Sequence, residues 1–204
     1  MTGSHDRPDQ LAAKVVAALD RIARGQRSRR QATASRLGLT PLQAELLRTI
    51  SEGPPPVPTV GRLAVELGVS QPTVTDSLRA LERKDLLVRR EDRSDARRTV
   101  LSLTDQGRRQ VQELTAGEAE LVTAVAAMDS ERQESTLGSL LALMAAMVDT
   151  GTLQVARTCL TCRFHQLQRA DGAHHCTLLG QDLRPGDLRV NCPEHASAAP
   201  VAGP

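Results

Sequence analysis

The 204-residue sequence has almost no aromatic residues, since it contains one phenylalanine, Phe164, and neither tryptophan nor tyrosine. Leucine, valine and alanine must therefore pack the core, and that composition favours helices. A long apolar run is also missing. The richest stretch, Leu137–Val148, is shorter than the about 20 residues that a membrane helix needs. The first ten residues are polar and lack the apolar region of a secretory signal. These absences predict a cytoplasmic protein that does not enter a membrane.

Neither sign of charge dominates, because 26 Lys and Arg residues are nearly balanced by 24 Asp and Glu residues, which gives a net charge of +2. The basic residues nevertheless cluster in two stretches, Arg24–Arg36 and Arg79–Arg109. Local basic stripes of this kind indicate phosphate-bearing or acidic partners, whereas the overall charge does not. No nucleotide-binding glycine motif, Ser/His/Asp arrangement or pair of carboxylates stands out, so we do not expect an enzyme.

Several helix starts are marked in the sequence. An amphipathic helix is predicted from residue 9, and it either continues through the basic stretch that follows or breaks at Gly25. In "LTPLQAELLRTI", Thr40 and Gln43 have the spacing of a capping box. Later, one helix is predicted to begin at Thr104 and to continue past Leu121. Another covers about 130–148, where Ser130 and Gln133 repeat the capping-box pattern.

The segment "TVGRLAVELGVSQPTVTDSLRALERKDLLVRR" predicts two short helices joined by a turn. Gly68 is a natural C-cap for the first helix, and Ser70 can cap the second, which carries Pro72 in its first turn. The pattern is typical of a helix-turn-helix, with an ordinary helical hairpin as the alternative. The β-prone runs "LLVRRE" and "RTVLSLT" flank the charged turn "DRSDAR", so a hairpin with a basic tip is predicted next.

The order of these motifs resembles the MarR family of winged helix-turn-helix regulators over residues 37–107. The strongest match is "EDRSDARRTVLSLTDQG", where the wing, an Asp-x-Arg turn and an LT-x-x-G helix start follow one another. The helices on either side, about 9–36 and 104–150, look like the family's dimerisation helices. The resemblance implies a mainly α fold, with a winged helix-turn-helix and long flanking dimerisation helices. It stops near Gly151, so the small cysteine-rich C-terminal appendage is an addition of this chain.

This hypothesis divides the chain into four parts. They are an N-terminal dimerisation helix (1–36), a winged helix-turn-helix DNA-binding domain (37–103), C-terminal dimerisation helices (104–152) and a cysteine-rich metal-binding segment with a tail (153–204). The resemblance implies a homodimer that binds a pseudo-palindromic operator in double-stranded DNA. Apolar stripes suit such a dimer, although packing within one chain is the alternative. The stripes comprise Leu11, Val15, Leu19 and Ile22, with Leu137, Leu140, Leu141, Met144 and Val148.

The exposed face of the 70–84 helix suits the major groove of DNA. Gln71 can read adenine, Thr73 and Thr75 can contact thymine methyl groups or phosphates, and Arg79 can reach guanine or phosphate. Asp76 either accepts a hydrogen bond from cytosine or orients Arg79.

The resemblance adds the wing, because a wing arginine held by an aspartate enters the minor groove in the family pattern. Asp95 and Arg97 match that pattern here, and a narrow minor groove concentrates the negative potential that attracts arginine. A charged solvent-exposed turn is the alternative. The predicted DNA-binding residues are Ser70, Gln71, Thr73, Thr75, Arg79, Arg93, Arg97 and Arg98, with Asp95 orienting the wing arginine.

Beyond Gly151 the sequence has another character, with the spacing C-x2-C-x13-C-x15-C and interspersed histidines. In a cytoplasmic chain, clustered cysteines indicate a metal centre rather than disulfides. The predicted ligands are Cys159, Cys162, Cys176 and Cys192. An iron–sulfur cluster is favoured, since all-thiolate ligation on a regulator would allow redox sensing. Zinc is the alternative, and His174, His175 or His195 could then replace one thiolate.

The sequence therefore predicts a dimeric, sequence-specific transcriptional regulator, expected to be a repressor, whose DNA binding is tuned by a four-cysteine metal centre. A sensor of a small ligand with a structural zinc in the tail is one alternative. A redox or electron-transfer protein on a winged-helix scaffold is the other.

Overall fold

The computed structural model describes residues 6–52, 59–91, 99–167 and 173–198. The helices are α1 (Asp6–Arg36), α2 (Pro41–Glu52), α3 (Val60–Leu67), α4 (Gln71–Arg83), α5 (Asp105–Ala116), α6 (Ala119–Ala126) and α7 (Ser130–Asp149). The strands are β1 (Leu87–Glu91), β2 (Thr99–Leu103), β3 (His165–Leu167), β4 (His174–Cys176) and β5 (Gln181–Leu183). This mainly helical arrangement confirms the predicted winged-helix fold.

The first two helices follow the local signals closely. Helix α1 runs through Gly25 without a break and ends at Arg36, and Gly38, two residues later, adopts a left-handed φ of 68°. The Leu39 amide then donates to the Ala34 carbonyl at 2.8 Å, a bond that closes the helix end. At the start of α2, Thr40 and Gln43 form the predicted capping box, with reciprocal backbone-to-side-chain bonds of 3.3 and 3.2 Å.

Helices α3 and α4 form the predicted helix-turn-helix. Gly68 ends α3 with a φ of 64°, and the Ser70 hydroxyl caps α4 by accepting from the Thr73 amide. The buried side of α4 consists of Val74, Leu78 and Leu81, which are fully shielded from solvent. They join leucines of α2 and α3 in the main core, so the opposite side of α4 is left facing solvent.

The wing begins as an antiparallel pair of strands, with Leu87 opposite Leu103. The chain then re-enters a helix at Thr104, whose hydroxyl caps α5 through the Gly107 amide at 3.0 Å. A Cβ atom on Gly107 would lie 2.1 Å from the Leu86 carbonyl oxygen. The glycine of the LT-x-x-G motif is thus required because α5 lies directly against the backbone that leads into β1.

Two predictions about the later helices are wrong. The helix that starts after Thr104 ends at Ala116 rather than continuing past Leu121. The break falls at Gly117 and Glu118, and the Glu118 carboxylate there accepts hydrogen bonds from two arginines of α1 and α2. Asp129, not Ser130, is the N-cap of α7, because its carboxylate accepts from the Arg132 amide at 2.9 Å.

The expected capping role of Gln133 at the start of α7 is also wrong. Its side-chain amide donates to the Met128 carbonyl at 2.8 Å instead of accepting from a capping residue. Two candidate caps one residue apart compete for the same orphan N–H groups, and the carboxylate of Asp129 has the charge that suits a helix N-terminus.

The stripes assigned to a dimer interface divide into two groups. Leu11, Val15 and Ile22 on α1 are 64%, 50% and 52% exposed in the single chain. Leu141 on α7 is instead completely buried, in a second small core with Cys159 and Leu188 of the appendage. Packing within one chain therefore accounts for Leu141, and α1 keeps an uncovered apolar face.

The appendage has more regular structure than its sequence indicated. Strands β3, β4 and β5 form a three-stranded antiparallel sheet in that order. Its small core includes Leu160 and Leu183 beside the residues that pack on α7. Among the described residues, no helix is both long and apolar enough to cross a membrane.

Candidate functional site

The solvent-facing side of α4 carries most of the residues predicted to bind the major groove. Gln71, Thr73 and Arg79 are exposed, while Thr75 is half-buried. The Gln71 amide lies over the small residue Gly61 of α3, 3.6 Å from where a Cβ atom would be. A polar surface on one side of α4 and an apolar core on the other suit a helix that enters a groove.

Hydrogen bonds within α4 hold several of these side chains in place. The Ser70 and Thr73 hydroxyls lie 2.7 Å apart, and the Thr75 hydroxyl donates to the Gln71 carbonyl at 2.9 Å. Arg79 and Asp76 form an exposed ion pair at 3.5 Å. The contact matches one of the two roles considered for the aspartate, that of orienting Arg79.

The wing is fastened to α4 at its base. The Arg89 Nε of β1 donates to the Glu82 carboxylate of α4 at 2.7 Å. The predicted wing residues Arg93, Asp95, Arg97 and Arg98 lie outside the described residues. Their assignment to the minor groove therefore stays a prediction from the sequence.

The four cysteines line one cavity of the appendage. The volume is about 360 Å³, which includes space open to solvent, and Phe164, His165 and Glu194 contribute to the wall. All four thiols are free. Residues that are up to 33 positions apart in sequence are thus brought to a common space by the short sheet and the turn before it.

Three parts of the appendage backbone place the four thiols. Cys159 opens a 3-10 turn, and the Cys162 amide donates to its carbonyl at 3.0 Å, so the C-x-x-C motif is a tight turn. Cys176 ends β4. Cys192 is positioned by its amide, which donates to the Arg157 carbonyl at 2.8 Å.

Arg189 contacts two of the sulfur atoms, although no sequence pattern marks this residue. Its backbone N–H donates to the Cys159 Sγ at 3.2 Å, and its guanidinium lies 3.8 Å from the Cys192 Sγ. Burial raises the pKa of the Cys159 thiol and the neighbouring cysteines raise it further, whereas the Arg189 N–H opposes the rise. A cation bound in the cavity would favour the thiolate form.

The histidines of the segment are engaged with other protein groups. His165 lines the cavity and lies 2.9 Å from His174, ring nitrogen to ring nitrogen. Burial, together with His174, lowers the pKa of His165. His175 contacts the Asp182 carboxylate at 2.7 Å, and His195 contacts a threonine hydroxyl at 3.0 Å. These contacts suit histidines that support the cavity wall rather than replace a thiolate.

The arrangement of the donor atoms bears on whether the cavity could hold a metal. Within the described ranges, no group of three or more Cys, His, Asp and Glu side chains is arranged to hold one metal ion. The thiols instead surround the cavity, with N–H donors of Arg189 directed at two of them. Sulfur ligands with N–H donors around them are the chemistry that thiolate-bound metal centres use.

An ion pair joins this segment to the helix-turn-helix. The Arg157 guanidinium lies 2.9 Å from the Glu66 carboxylate of α3, and the two side chains are 12% and 28% exposed. Neither residue was singled out in the sequence, because nothing in a sequence pattern indicates that two residues 91 positions apart are in contact.

Comparison with known proteins finds a family and several solved structures that resemble this fold. Residues 37–98 match the model of the MarR family. The Staphylococcus aureus MepR–DNA complex is 25% identical over 64% of this chain and 96% of that chain, with a TM-score of 0.51. A mutant MepR from a multidrug-resistant S. aureus clinical isolate is also 25% identical, over 65% and 96% of the two chains, with a TM-score of 0.55.

S. aureus MarR in complex with salicylate and kanamycin is 18% identical over 69% of this chain and 94% of that chain, with a TM-score of 0.56, which shows a shared fold. No curated protein matches the sequence. The chain thus has the MarR-type winged-helix fold. The family match ends at residue 98, so the cysteine-rich segment lies outside it.

Proposed function

We propose that this chain, which carries a MarR-family winged helix-turn-helix, is a sequence-specific DNA-binding transcriptional regulator. The observation that carries the proposal is α4, whose apolar side is buried in the core while Gln71, Thr73 and Arg79 face solvent. A helix of this kind places base-reading side chains in the major groove. MepR, which shares the fold and is 25% identical, has been solved with DNA bound.

Duplex binding is tested by titrating labelled DNA from the region upstream of the protein's own gene. Specific binding should exceed binding to a scrambled duplex, and the affinity should fall as salt rises because phosphate contacts release counterions. Equal affinity for both duplexes at every salt concentration would contradict sequence-specific regulation. Repression is the expected direction, since a regulator seated on a promoter competes with polymerase.

The regulator is further proposed to act as a homodimer on a pseudo-palindromic site. Support comes from the apolar face of α1, on which Leu11, Val15 and Ile22 are at least half exposed in the single chain. An Ile22→Asp variant should become monomeric and lose affinity for the full operator, whereas Arg21→Asp on the adjacent polar position should stay dimeric. A wild-type monomer in light scattering would defeat the proposal.

The four-cysteine cavity is proposed to hold a metal centre, with an iron–sulfur cluster favoured. Support comes from Cys159, Cys162, Cys176 and Cys192, which line one cavity together although they lie far apart in sequence. Such a cluster, when bound, would supply a redox-sensitive group. The chain's own residues supply four sulfur donors and N–H groups of Arg189 directed at two of them.

Protein purified without oxygen should then be brown and carry iron and acid-labile sulfide, and each single Cys→Ser change should reduce the iron content. Ser139→Ala on α7 serves as a control that leaves the thiols intact. Full metal content in the Cys176→Ser and Cys192→Ser variants would defeat the four-cysteine site.

Structural zinc is the second candidate. The shared core of the appendage favours a structural role, whereas the arrangement of the described Cys, His, Asp and Glu side chains, which does not surround a single ion, speaks against zinc. Leu141 of α7 is completely buried against Cys159 and Leu188, so the segment is packed onto the scaffold as a structural unit would be. Colourless anaerobic protein with stoichiometric zinc would select this candidate and retain the four ligands.

A further inference from the structure

Among the described ion pairs, the one between Arg157 and Glu66 joins the appendage to the helix-turn-helix, which none of the others does. Arg157 precedes the first cysteine turn by two residues, whereas Glu66 lies in the last turn of α3. The N–O distance is 2.9 Å, and only 12% of the Arg157 side chain is exposed. The pair therefore fixes the start of the appendage directly to the helix-turn-helix.

The same arginine is bound on its other side to the cysteine cavity. Its carbonyl accepts the Cys192 amide at 2.8 Å, and Cys159 itself exchanges a backbone bond with Arg189, whose carbonyl accepts the Cys159 amide at 3.1 Å. Thr158, between Arg157 and the cysteine, is completely buried. The backbone on which Arg157 sits is thus tied to two of the four thiol-bearing residues.

From these contacts we infer that Arg157 is the residue through which the state of the cysteine cavity is transmitted to the helix-turn-helix, by way of Glu66 on α3. The inference rests on the proposed regulator with a metal centre in that cavity. Ligation would fix the Cys159 and Cys192 backbones on both sides of Arg157, and release would free them. Because α3 packs against α4, a shift of Glu66 moves the helix that faces DNA.

A different route leaves the cavity through α7, and the two routes make separate predictions. Leu141 of α7 packs against Leu188 and so joins α7 to the appendage. Helix α7 is not the helix that presents the predicted DNA-binding residues, which lie on α4. A signal through that core would change the position of α7 and with it the dimer. A signal through Arg157 reaches the DNA-binding unit within one chain, so it should survive changes at the Leu141 contact.

The test uses the full chain with and without its metal. Glu66→Gln and Arg157→Gln remove the charge of one partner while keeping a side chain of related shape. Arg132→Gln is the matched control, since that arginine forms an ion pair with Asp129 that is 78% and 61% exposed and remote from α3. Metal content and visible absorption are measured for each variant, together with DNA affinity in the metal-loaded and chelator-stripped forms.

We expect the wild type and Arg132→Gln to show an affinity ratio between loaded and stripped forms of about 5- to 150-fold, a usual range for coupled sites. In Glu66→Gln and Arg157→Gln the ratio should fall to within about twofold of one, while metal content and the affinity of the stripped form stay close to wild type. Reversing the pair, with Glu66→Arg and Arg157→Glu together, should restore part of the ratio. Variants that retain the wild-type ratio overturn the route.

Failure of the underlying function gives a different pattern. A wild type that binds metal but has a ratio of one rejects any coupling, this route included. A wild type without iron or zinc rejects only the metal centre. Hydrogen exchange of the α3 amides then tests the route through Arg157. Replacing Cys192 by Ser should alter the exchange of α3 amides in the wild-type background and not in Glu66→Gln. An equal effect in both backgrounds overturns the route.

Discussion

The backbone N–H of Arg189 donates a hydrogen bond to the Cys159 Sγ at 3.2 Å, while the guanidinium of the same residue lies 3.8 Å from the Cys192 Sγ. One residue thus contacts two of the four sulfur atoms, through a fixed backbone group and through a flexible charge. The guanidinium also forms an ion pair with Glu194 at 3.2 Å, which holds it at the cavity edge. Thiolates at these positions would be stabilised by both groups.

In the proposed metal centre, Arg189→Gln is expected to weaken metal retention, because it removes the positive charge near Cys192 and leaves the backbone bond to Cys159 in place. Hydrogen-bond partners of metal ligands typically contribute about 10- to 100-fold to metal affinity, and a loss near the lower end is expected here. Competition with a chelator measures it. Arg184→Gln, an exposed arginine of the same segment, is the control. Equal retention in both variants would contradict the role assigned to Arg189.

Gly107→Ala is expected to destabilise the winged helix strongly. The added Cβ would lie 2.1 Å from the Leu86 carbonyl oxygen, so the contact between α5 and the start of the wing must open. Overpacking costs typically about 1–3 kcal/mol and occasionally more, and we expect the upper end because the obstructing atom is backbone. Urea unfolding gives the free energy.

Gly25→Ala is the matched control for that measurement. Gly25 lies within α1, and a Cβ there would meet nothing within 4 Å. The change should stabilise the helix by roughly 0.5–1 kcal/mol, because alanine loses less backbone entropy than glycine. A Gly107→Ala protein as stable as Gly25→Ala would show that the contact with Leu86 relaxes easily.

The parts of the fold that the sequence predicted are those encoded by neighbouring residues. Thr40, Gly68 and Ser70 each act within one helical turn, through a side-chain cap or a left-handed φ, so their effect could be inferred without knowing the rest of the chain. The errors at Ser130 and Gln133, at the start of α7, have the same origin. Asp129 and Ser130 are both good local caps, and only the three-dimensional structure decides between them.

The spacing of the cysteines singled out the four thiols but not their surroundings. All four line one cavity, while their action as one metal site and the identity of any bound metal stay predictions. Arg189, Arg157 and the burial of Leu141 depend on contacts between residues that are far apart in sequence. A single sequence carries no local pattern for such contacts, and they emerge only once the appendage has packed onto α7.

The Glu118 carboxylate should make a contribution to the free energy of unfolding that is lost in acid. Burial by itself raises the pKa of Glu118, but the charges and hydrogen bonds of Arg48 and Arg30 outweigh it and lower the pKa below its ordinary value. A lowered folded pKa means that the contribution is present above the unfolded value of about 4.3 and is lost as pH falls through the folded value. Stability should therefore fall with acid in this window.

Glu118→Gln should remove the pH-dependent contribution of this carboxylate to the free energy of unfolding. The Glu118 and Arg48 side chains are 27% and 12% exposed, so a loss of about 1–3 kcal/mol at neutral pH is expected, between the values of exposed and buried pairs. The difference from wild type should shrink as the pH is lowered, in urea unfolding repeated from pH 7 to pH 3. Glu131→Gln, an exposed glutamate of α7, is the control. A difference that does not depend on pH would show that Glu118 acts through packing instead of charge.

Arg79→Ala is expected to reduce sequence discrimination more than Arg83→Ala. Arg79 is exposed on the same side of α4 as Gln71 and is steadied by Asp76 at 3.5 Å, while Arg83 lies at the C-terminal end of the helix. Base edges are reached from the N-terminal part of a recognition helix, and a good base contact contributes about 1–3 kcal/mol of discrimination. Loss of Arg79 should therefore lower the ratio of specific to nonspecific affinity by roughly 5- to 150-fold.

Arg83→Ala should instead weaken specific and nonspecific binding to the same small extent, as loss of a surface charge near phosphates does. Titrations on the operator and on a scrambled duplex at two salt concentrations separate the two effects. Asp76→Asn adds a check on geometry, because an arginine freed from its ion pair should lose part of its discrimination while keeping its charge. If Arg83→Ala lowers the specificity ratio more than Arg79→Ala does, α4 enters DNA in an orientation different from the one that its exposed face indicates.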